Sequence, residues 1–350
     1  MVDLSWNKVH CLDAVQALRS IPSNSIDCVL IDPPYNRGVD FGNNCSKKEI
    51  QEYIAWCGEW LSESERVLTQ SGTMYIYGFS EILAHLSVNM NLDHRWLIWH
   101  YTNKTVPSAH FWQRSHESIL CAWKDKNMRI FNRETIREPY TEKFIKGYKG
   151  KGRKRPPSKG RFVNDGTIRE LEEQLDSYAW VSALGTPLSP AVHEQDNLRQ
   201  ECDRSHLVAK LREARLQKTT IYEVNARGAL PRDVLKISSL AGGAGSKERI
   251  GWCHDCHKSF FGRESKQHTH HETFKHPTQK PFELTRRLLL AACPPENAKV
   301  LIPFAGSGTE CHIARILGMN YLSFDLNPEY VIMANDFINK MGAENAHAEG

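Results

Sequence analysis

Four groups of residues in this sequence have the types and spacing to do chemistry. The first is Asp32-Pro33-Pro34-Tyr35. Its prolines lack backbone N–H groups and fix their own φ angles, so they make a stiff, open turn. A carboxylate, a carbonyl and an aromatic face are held together there, a set suited to methylation of an aromatic amino group. The nitrogen of such an amine is a poor nucleophile, because its lone pair is delocalised into the ring. Hydrogen bonds from the NH2 group to Asp32 and to the Pro33 carbonyl favour a more tetrahedral nitrogen and concentrate that lone pair for attack on a sulfonium methyl. Tyr35 could stack on a base extruded from a duplex.

The second group is the turn Pro303-Phe304-Ala305-Gly306-Ser307-Gly308-Thr309, with Asp325 further on. Glycines between a strand and a helix let the backbone approach a ligand, and the helix amino terminus suits a carboxylate. An acid at the tip of the next strand suits the two hydroxyls of a ribose. A Gly-x-Gly turn alone is weak evidence, since strand-to-helix turns use glycine for their own sake.

The third group is Cys253-His254-Asp255-Cys256, followed by His268, His270 and His271. Two cysteines two residues apart with downstream histidines could close a tetrahedral zinc site. Eleven residues separate Cys256 from His268 and thirteen separate it from His270, so spacing leaves the set open between Cys253, Cys256, His268, His271 and one that uses His270. A reduced, metal-free loop is the plain alternative. A closed zinc site would staple the loop and do no catalysis.

The fourth is cationic. Nine lysines and arginines lie between Lys143 and Arg161 with no acid among them, interleaved with Phe144 and Tyr148. Lys146, Lys149, Lys151, Arg153, Lys154 and Arg155 form its centre, and glycines with Pro156-Pro157 make it a loop. Such a segment fits a nucleic-acid phosphate backbone.

These groups need elements to position them. The apolar run from Ile26 to Ile31 reads as a buried parallel strand ending at Asp32. Before it comes a short strand, then a helix around residues 13–19 with Ala14, Val15 and Leu18 inward. Helical spacing runs over residues 48–69, with Gly72 as its stop. Residues 73–77, 95–100 and 118–123 are strand-like, with a polar aromatic loop at 101–115. Residues 168–180 and 196–218 read as helices, the second strongly charged. Near the end, residues 298–302 read as a strand, a helix follows to Gly318, and residues 321–324 form a strand ending in Asp325. Alternating strands and helices argue for an α/β fold with a doubly wound, mostly parallel sheet.

The chain has 350 residues, 40% hydrophobic and 25% charged, with a net charge of +4, which suits one large domain or two modest ones. No apolar run is long enough to cross a bilayer, and Met1 to Trp6 does not resemble a signal peptide, so the expected compartment is the cytoplasm. Ten scattered cysteines point to reduced core residues rather than a disulfide framework.

In order, Asp32-Pro33-Pro34-Tyr35, then His276-Pro277-Thr278-Gln279-Lys280-Pro281, then Phe304-Ala305-Gly306-Ser307-Gly308-Thr309 resemble the β-class amino-methyltransferases of DNA. Cys11-Leu12, Ser25-Ile26-Asp27, Trp99 to Glu117, Leu230-Pro231, Asp233-Val234 and Asn327-Pro328-Glu329-Tyr330 add to the likeness. The resemblance covers about residues 8–124 and 272–335. It implies a Rossmann-like methyltransferase fold in permuted order, the cofactor strand coming last, with a smaller target-recognition region inserted. Residues 1–124 would be the catalytic part, 125–271 the insert with the basic loop, 272–340 the cofactor part and 341–350 a tail. The cofactor implied is S-adenosylmethionine. Phe304, Gly306, Ser307, Gly308 and Cys11 would line it, Asp325 would hold its ribose, and Thr278 and Lys280 its carboxylate. The implied partner is DNA, with room for a second copy of the chain and a cognate restriction enzyme, and none for a membrane.

Within such a family, Asp at position 32 leans toward adenine N6 and away from cytosine N4. Protein glutamine methylation, where a related turn starts with Asn, and a non-catalytic DNA-binding module are the other readings. This chain departs from the family pattern at Ile302, where an acid is usual, and at Val9-His10, where Gly-Asp is usual.

Overall fold

The computed structural model describes residues 4–36, 48–103, 110–141, 228–240 and 245–348. Two compact units divide the chain: residues 1–137 with 230–350, and residues 138–229. Of the second unit only its two ends are described, where Glu138 and Ala229 form an antiparallel bridge. The helices expected at 168–180 and 196–218, and the cations from Lys143 to Arg161, lie outside the described residues.

The first unit is built on an eight-stranded sheet. Its strands are β1 (Lys8–Cys11), β2 (Ile26–Ile31), β3 (Leu68–Gly78), β4 (Asp93–His100), β5 (His116–Trp123), β6 (Val234–Lys236), β10 (Lys299–Ile302) and β11 (Asn320–Asp325), in the order β1-β11-β10-β2-β3-β5-β4-β6. Only β5 runs against the others, pairing antiparallel with both β3 and β4. The helices are α1 (Ala14–Arg19), α2 (Ile50–Val67), α3 (Ser80–Asn89), α4 (Phe282–Ala292), α5 (Thr309–Ile316) and α6 (Pro328–Ala348).

Alternation along the central strands sends successive side chains to opposite faces. Leu30, Tyr75, Val300 and Ile302 join one buried cluster with Leu284 and Leu288 of α4, Ile313 of α5 and Phe337 of α6. Val29, Ile31, Met74 and Leu301 join another with Leu18 of α1, Trp60 of α2 and Leu83 of α3. Helices therefore cover both faces, as a doubly wound parallel sheet requires.

Asp13 caps α1, its carboxylate accepting from the Gln16 N–H at 3.0 Å, an interaction worth about 1 kcal/mol. Gly72 does not stop α2, which ends at Val67 and passes straight into β3. Gly72 lies inside the strand, where an added Cβ would stand 2.8 Å from Leu68 Cδ1 and 3.0 Å from the Asp27 carbonyl oxygen. It is there for close strand approach, at the register shift between β2 and β3.

A three-stranded antiparallel sheet, β8-β7-β9, comprises β7 (Ile250–Cys253), β8 (Lys258–Phe261) and β9 (Thr273–Lys275). Among the described residues no helix is long and apolar enough to cross a membrane.

Candidate active site

Strands β2 and β10 are parallel neighbours, Cys28 beside Val300 and Val29 beside Leu301, so the turns after Ile31 and Ile302 emerge at the same edge of the sheet. After β2 the chain goes through α2 to β3 on one side; after β10 it goes through α5 to β11 on the other. The crevice at such a reversal is where open α/β sheets hold ligands. Here it holds a cavity of about 260 Å³. Asp32, Pro33 and Pro34 form one wall, Pro303 to Ser307 another, and Thr278, Gln279 and Lys280 a third.

Asp32 is the centre of a dense polar cluster. The Lys280 ammonium donates to its Oδ2 at 2.7 Å, and the Tyr35 hydroxyl donates to its Oδ1 at 2.6 Å. Lys280 also donates to the Tyr35 oxygen at 3.0 Å and lies 3.8 Å from Glu117, whose other oxygen accepts from Tyr101 at 2.5 Å. The Lys280 side chain is only 2% exposed. Burial works against its charge, but Asp32 and Glu117 outweigh that and hold its pKa above the ordinary value. Burial, then the charges of Asp32 and Glu117, push the Tyr35 hydroxyl well up, so it remains a donor. The turn is pinned from behind by the Tyr53 hydroxyl, which donates to the Pro34 carbonyl at 2.6 Å. The Asn36 side chain pairs with the Lys48 backbone in both directions, at 2.8 and 2.6 Å.

The glycine turn is held just as firmly. Gly306, at φ +48°, donates its N–H to Asp325 Oδ2 at 2.8 Å, and Asn327 N–H donates to Asp325 Oδ1 at 2.9 Å. Burial raises the Asp325 pKa, and these backbone bonds oppose the rise. A Cβ on Gly306 would stand 2.8 Å from His276 Nε2. His276 is itself buried beside Lys280 and Arg249; burial first, then those cations, lower its pKa to about 3, which keeps the ring neutral.

Nine of the residues expected to act line this cavity together: Asp32, Pro33, Pro34, Thr278, Lys280, Phe304, Gly306, Ser307 and Asp325. Three do not. Cys11 is exposed, its thiol 3.8 Å from the Leu326 carbonyl; Tyr35 reaches the site through its hydroxyl; Gly308, at φ +77°, packs against Ala334 of α6. Cys253, Cys256, His268 and His271 gather beside the three-stranded sheet and line no part of the cavity. Lys146, Lys149, Lys151, Arg153, Lys154 and Arg155 lie outside the described residues.

Glu310 was not anticipated. It lines the cavity, is 5% exposed, and its Oε1 has no hydrogen-bond partner. Burial first and Asp32 second push its pKa up to about 7. The one signal in the sequence was its position as the only acid between Ile302 and Asp325. Glu117 and Trp56 were also unassigned; each needed the third dimension to reach the site.

A family model described as DNA methylase matches residues 26–336. The chain is 25% identical over 334 residues to the Type II methyltransferase M.HpaI of Haemophilus parainfluenzae, covering 94% of this chain and 73% of that protein. It is 22% identical over 325 residues to the DNA adenine methyltransferase YhdJ of Escherichia coli (strain K12), covering 92% and 79%. Among solved structures, the PvuII DNA methyltransferase (cytosine-N4-specific) superposes with a TM-score of 0.52 at 14% identity, covering 97% of this chain and 91% of that one, which shows a common fold.

Proposed function

This chain belongs to the DNA methylase family as a β-class amino-methyltransferase, and from that premise we propose that it methylates the N6 amino group of adenine in DNA. The observation that carries the reading is the shared cavity: the acid after β2 and the glycine turn after β10 face one space.

The residues present fit S-adenosylmethionine. Four carboxylates (Asp13, Asp32, Glu310 and Asp325) and two ammonium groups (Lys48 and Lys280) line the cavity, a balance that suits a ligand of net positive charge. Trp56, Phe304 and Leu326 supply an apolar wall for a purine ring. When bound, S-adenosylmethionine supplies an electrophilic sulfonium methyl. Asp325, at the tip of β11, would hold the ribose hydroxyls, and Thr278 and Lys280 the carboxylate. Glu310, buried with an oxygen lacking a partner, would answer the cofactor's positive charge. It offers a carboxylate to the same cavity in a chain that has Ile302 where the family usually has an acid.

Asp32 and the Pro33 carbonyl would accept hydrogen bonds from the target amine, Pro34 would shape the turn, and Tyr35 would meet the flipped base. Lys280 and Tyr35 fix the Asp32 carboxylate in orientation, and each of its oxygens keeps a lone pair for the amine. The proton shed by the methylated nitrogen leaves to solvent. Target recognition is assigned to residues 125–271, and phosphate binding to Lys146, Lys149, Lys151, Arg153, Lys154 and Arg155.

Adenine is favoured by Asp at the head of the turn, and the relative named a DNA adenine methyltransferase agrees with that choice. The test is to incubate the protein with DNA and labelled S-adenosylmethionine, digest the DNA to nucleosides and weigh the product. N6-methyladenine is expected. N4-methylcytosine as the sole product would overturn the choice of base, and label in protein but not in DNA would overturn the substrate.

A further inference from the structure

We propose that Cys253, Cys256, His268 and His271 bind one structural zinc ion, and that this ion fixes the strand delivering Lys280 to Asp32.

The chain turns between β7 and β8 through Cys253-His254-Asp255-Cys256-His257, with His257 at φ +49° and the Cys256 N–H directed at Cys253 Sγ, 3.4 Å away. A tight turn with backbone N–H aimed at thiol sulfur is what a thiolate pair on a metal needs. The two histidines arrive from the short helical segment Gly262–His268 and the turn beyond it, where the His271 N–H donates to the His268 carbonyl at 3.1 Å. The four ligand atoms then lie within 4.8 Å of one another. His271 Nδ1 is 3.3 Å from both sulfurs, and His268 Nδ1 is 3.7 Å from Cys256 Sγ. A tetrahedron with ordinary zinc–sulfur and zinc–nitrogen bonds has sulfur–nitrogen edges of about 3.5 Å. These three sulfur–nitrogen distances thus match the edges of the ion's coordination shell. Two thiolates with two imidazoles select zinc over hard cations such as magnesium or calcium. His270 is not part of the cluster, which resolves the ambiguity left by spacing.

The surroundings orient the ligands. Phe260 stacks on His268, ring centroids 4.5 Å apart. Asp255 accepts from the Glu272 N–H at 2.8 Å, and the His254 N–H donates to the Glu272 carbonyl at 3.0 Å, tying the cysteine turn to the residue after His271. With all four positions filled by the protein, no site remains for a reactive water, so the role is structural.

The consequence reaches the cavity through β9. This strand begins two residues after His271, pairs with β7 as Thr273 beside Cys253 and Phe274 beside Trp252, and runs directly into His276 to Lys280. The Ile250 N–H donates to Gln279 Oε1 at 2.8 Å, and Arg249 donates to the Pro277 carbonyl at 2.8 Å. Strands β7 and β8 root in the main core through Ile250, Trp252 and Phe261, but the three-residue β9 that leads to Lys280 buries little of its own. A metal clip at one end of them holds the segment that carries Lys280.

The site itself does not depend on the methyl-transfer reading, and its test needs no activity. Protein purified without added metal is assayed for zinc by elemental analysis, and its thermal midpoint is recorded before and after removal of metal under reducing conditions. One zinc per chain is expected, together with a lowered midpoint on removal that recovers on adding zinc back. Replacement by cobalt should give the visible bands of a tetrahedral ion and a thiolate charge-transfer band. His271→Asn should lose the metal while His270→Asn keeps it. Absence of zinc in the wild-type protein, or equal loss in both histidine variants, overturns the site. A midpoint indifferent to the metal overturns the stapling role.

Discussion

Glu310 has a buried carboxyl group, and burial, then the charge of Asp32, raise its pKa from the ordinary 4.5 to about 7. An unfolded chain gives up that proton near the ordinary value and the folded chain only near neutrality. The stability contributed is therefore complete below pH 4.5, falls as pH rises toward about 7, and then levels. Across that window Glu310 accounts for a loss of about 3 kcal/mol. Glu310→Gln should flatten the denaturation midpoint over that range, and an unchanged profile would show that another group is responsible. Cofactor binding carries the complementary signature. A cation favours the ionised carboxylate, so affinity measured by calorimetry should rise with pH up to about 7 in the wild type and much less in the variant. At this scale the sequence was legible where chemistry is written in consecutive residues, as at Asp32 to Tyr35 or Gly306 to Gly308. Glu310 and Glu117 were opaque, because a single acid in a helix or strand looks the same whether it faces solvent or a cavity.

Among the elements, the junction of β10 with α5 is tightly constrained. Gly308 sits at φ +77° immediately before α5, and a Cβ there would stand 2.7 Å from that of Ala334. Gly308→Ala must both enter the left-handed region and push α6 outward, at about 2–4 kcal/mol. A fall of several degrees in the thermal midpoint is expected, and a midpoint within about one degree of wild type would contradict the packing described. The strands that bear the motifs were readable because each is bounded by a clear signal: the prolines after β2, the glycines after β10. Helix α3 was not read, since its buried contribution is only Leu83 and Leu86 on a surface-facing turn of chain. The β7-β8-β9 sheet was not read either, because strands this short carry almost no alternation. A glycine after a helical run suggests a helix stop, yet Gly72 marks a close approach of strands, and both roles ask for the same residue.

The whole molecule is organised by chain order. The strand that runs into the Asp32 turn comes early and the strand bearing the glycine turn comes late, yet they pair in register at the centre of the sheet. Chain order alone offers no physical reason for that pairing; only the likeness to a family supplied it, and the parallel register bears it out. The span between β5 and β6 carries the basic run, assigned to DNA. Replacing Lys149, Lys151, Arg153, Lys154 and Arg155 by glutamine should weaken DNA binding across all sequences. It should also reduce the salt slope by about one unit for each phosphate that is no longer neutralised. Unchanged affinity and slope would remove the basic run from the interface. In the proposed mechanism Asp32 acts upon an amine presented beside a cofactor that it does not itself hold. The most direct measurement pairs calorimetry of S-adenosylmethionine binding with single-turnover methyl transfer to DNA, in the wild type and in Asp32→Asn. Cofactor affinity within about threefold of wild type, with transfer reduced by at least about 10²-fold, is the predicted result. Transfer undiminished in the variant, or no methyl reaching DNA from the wild type, would contradict it.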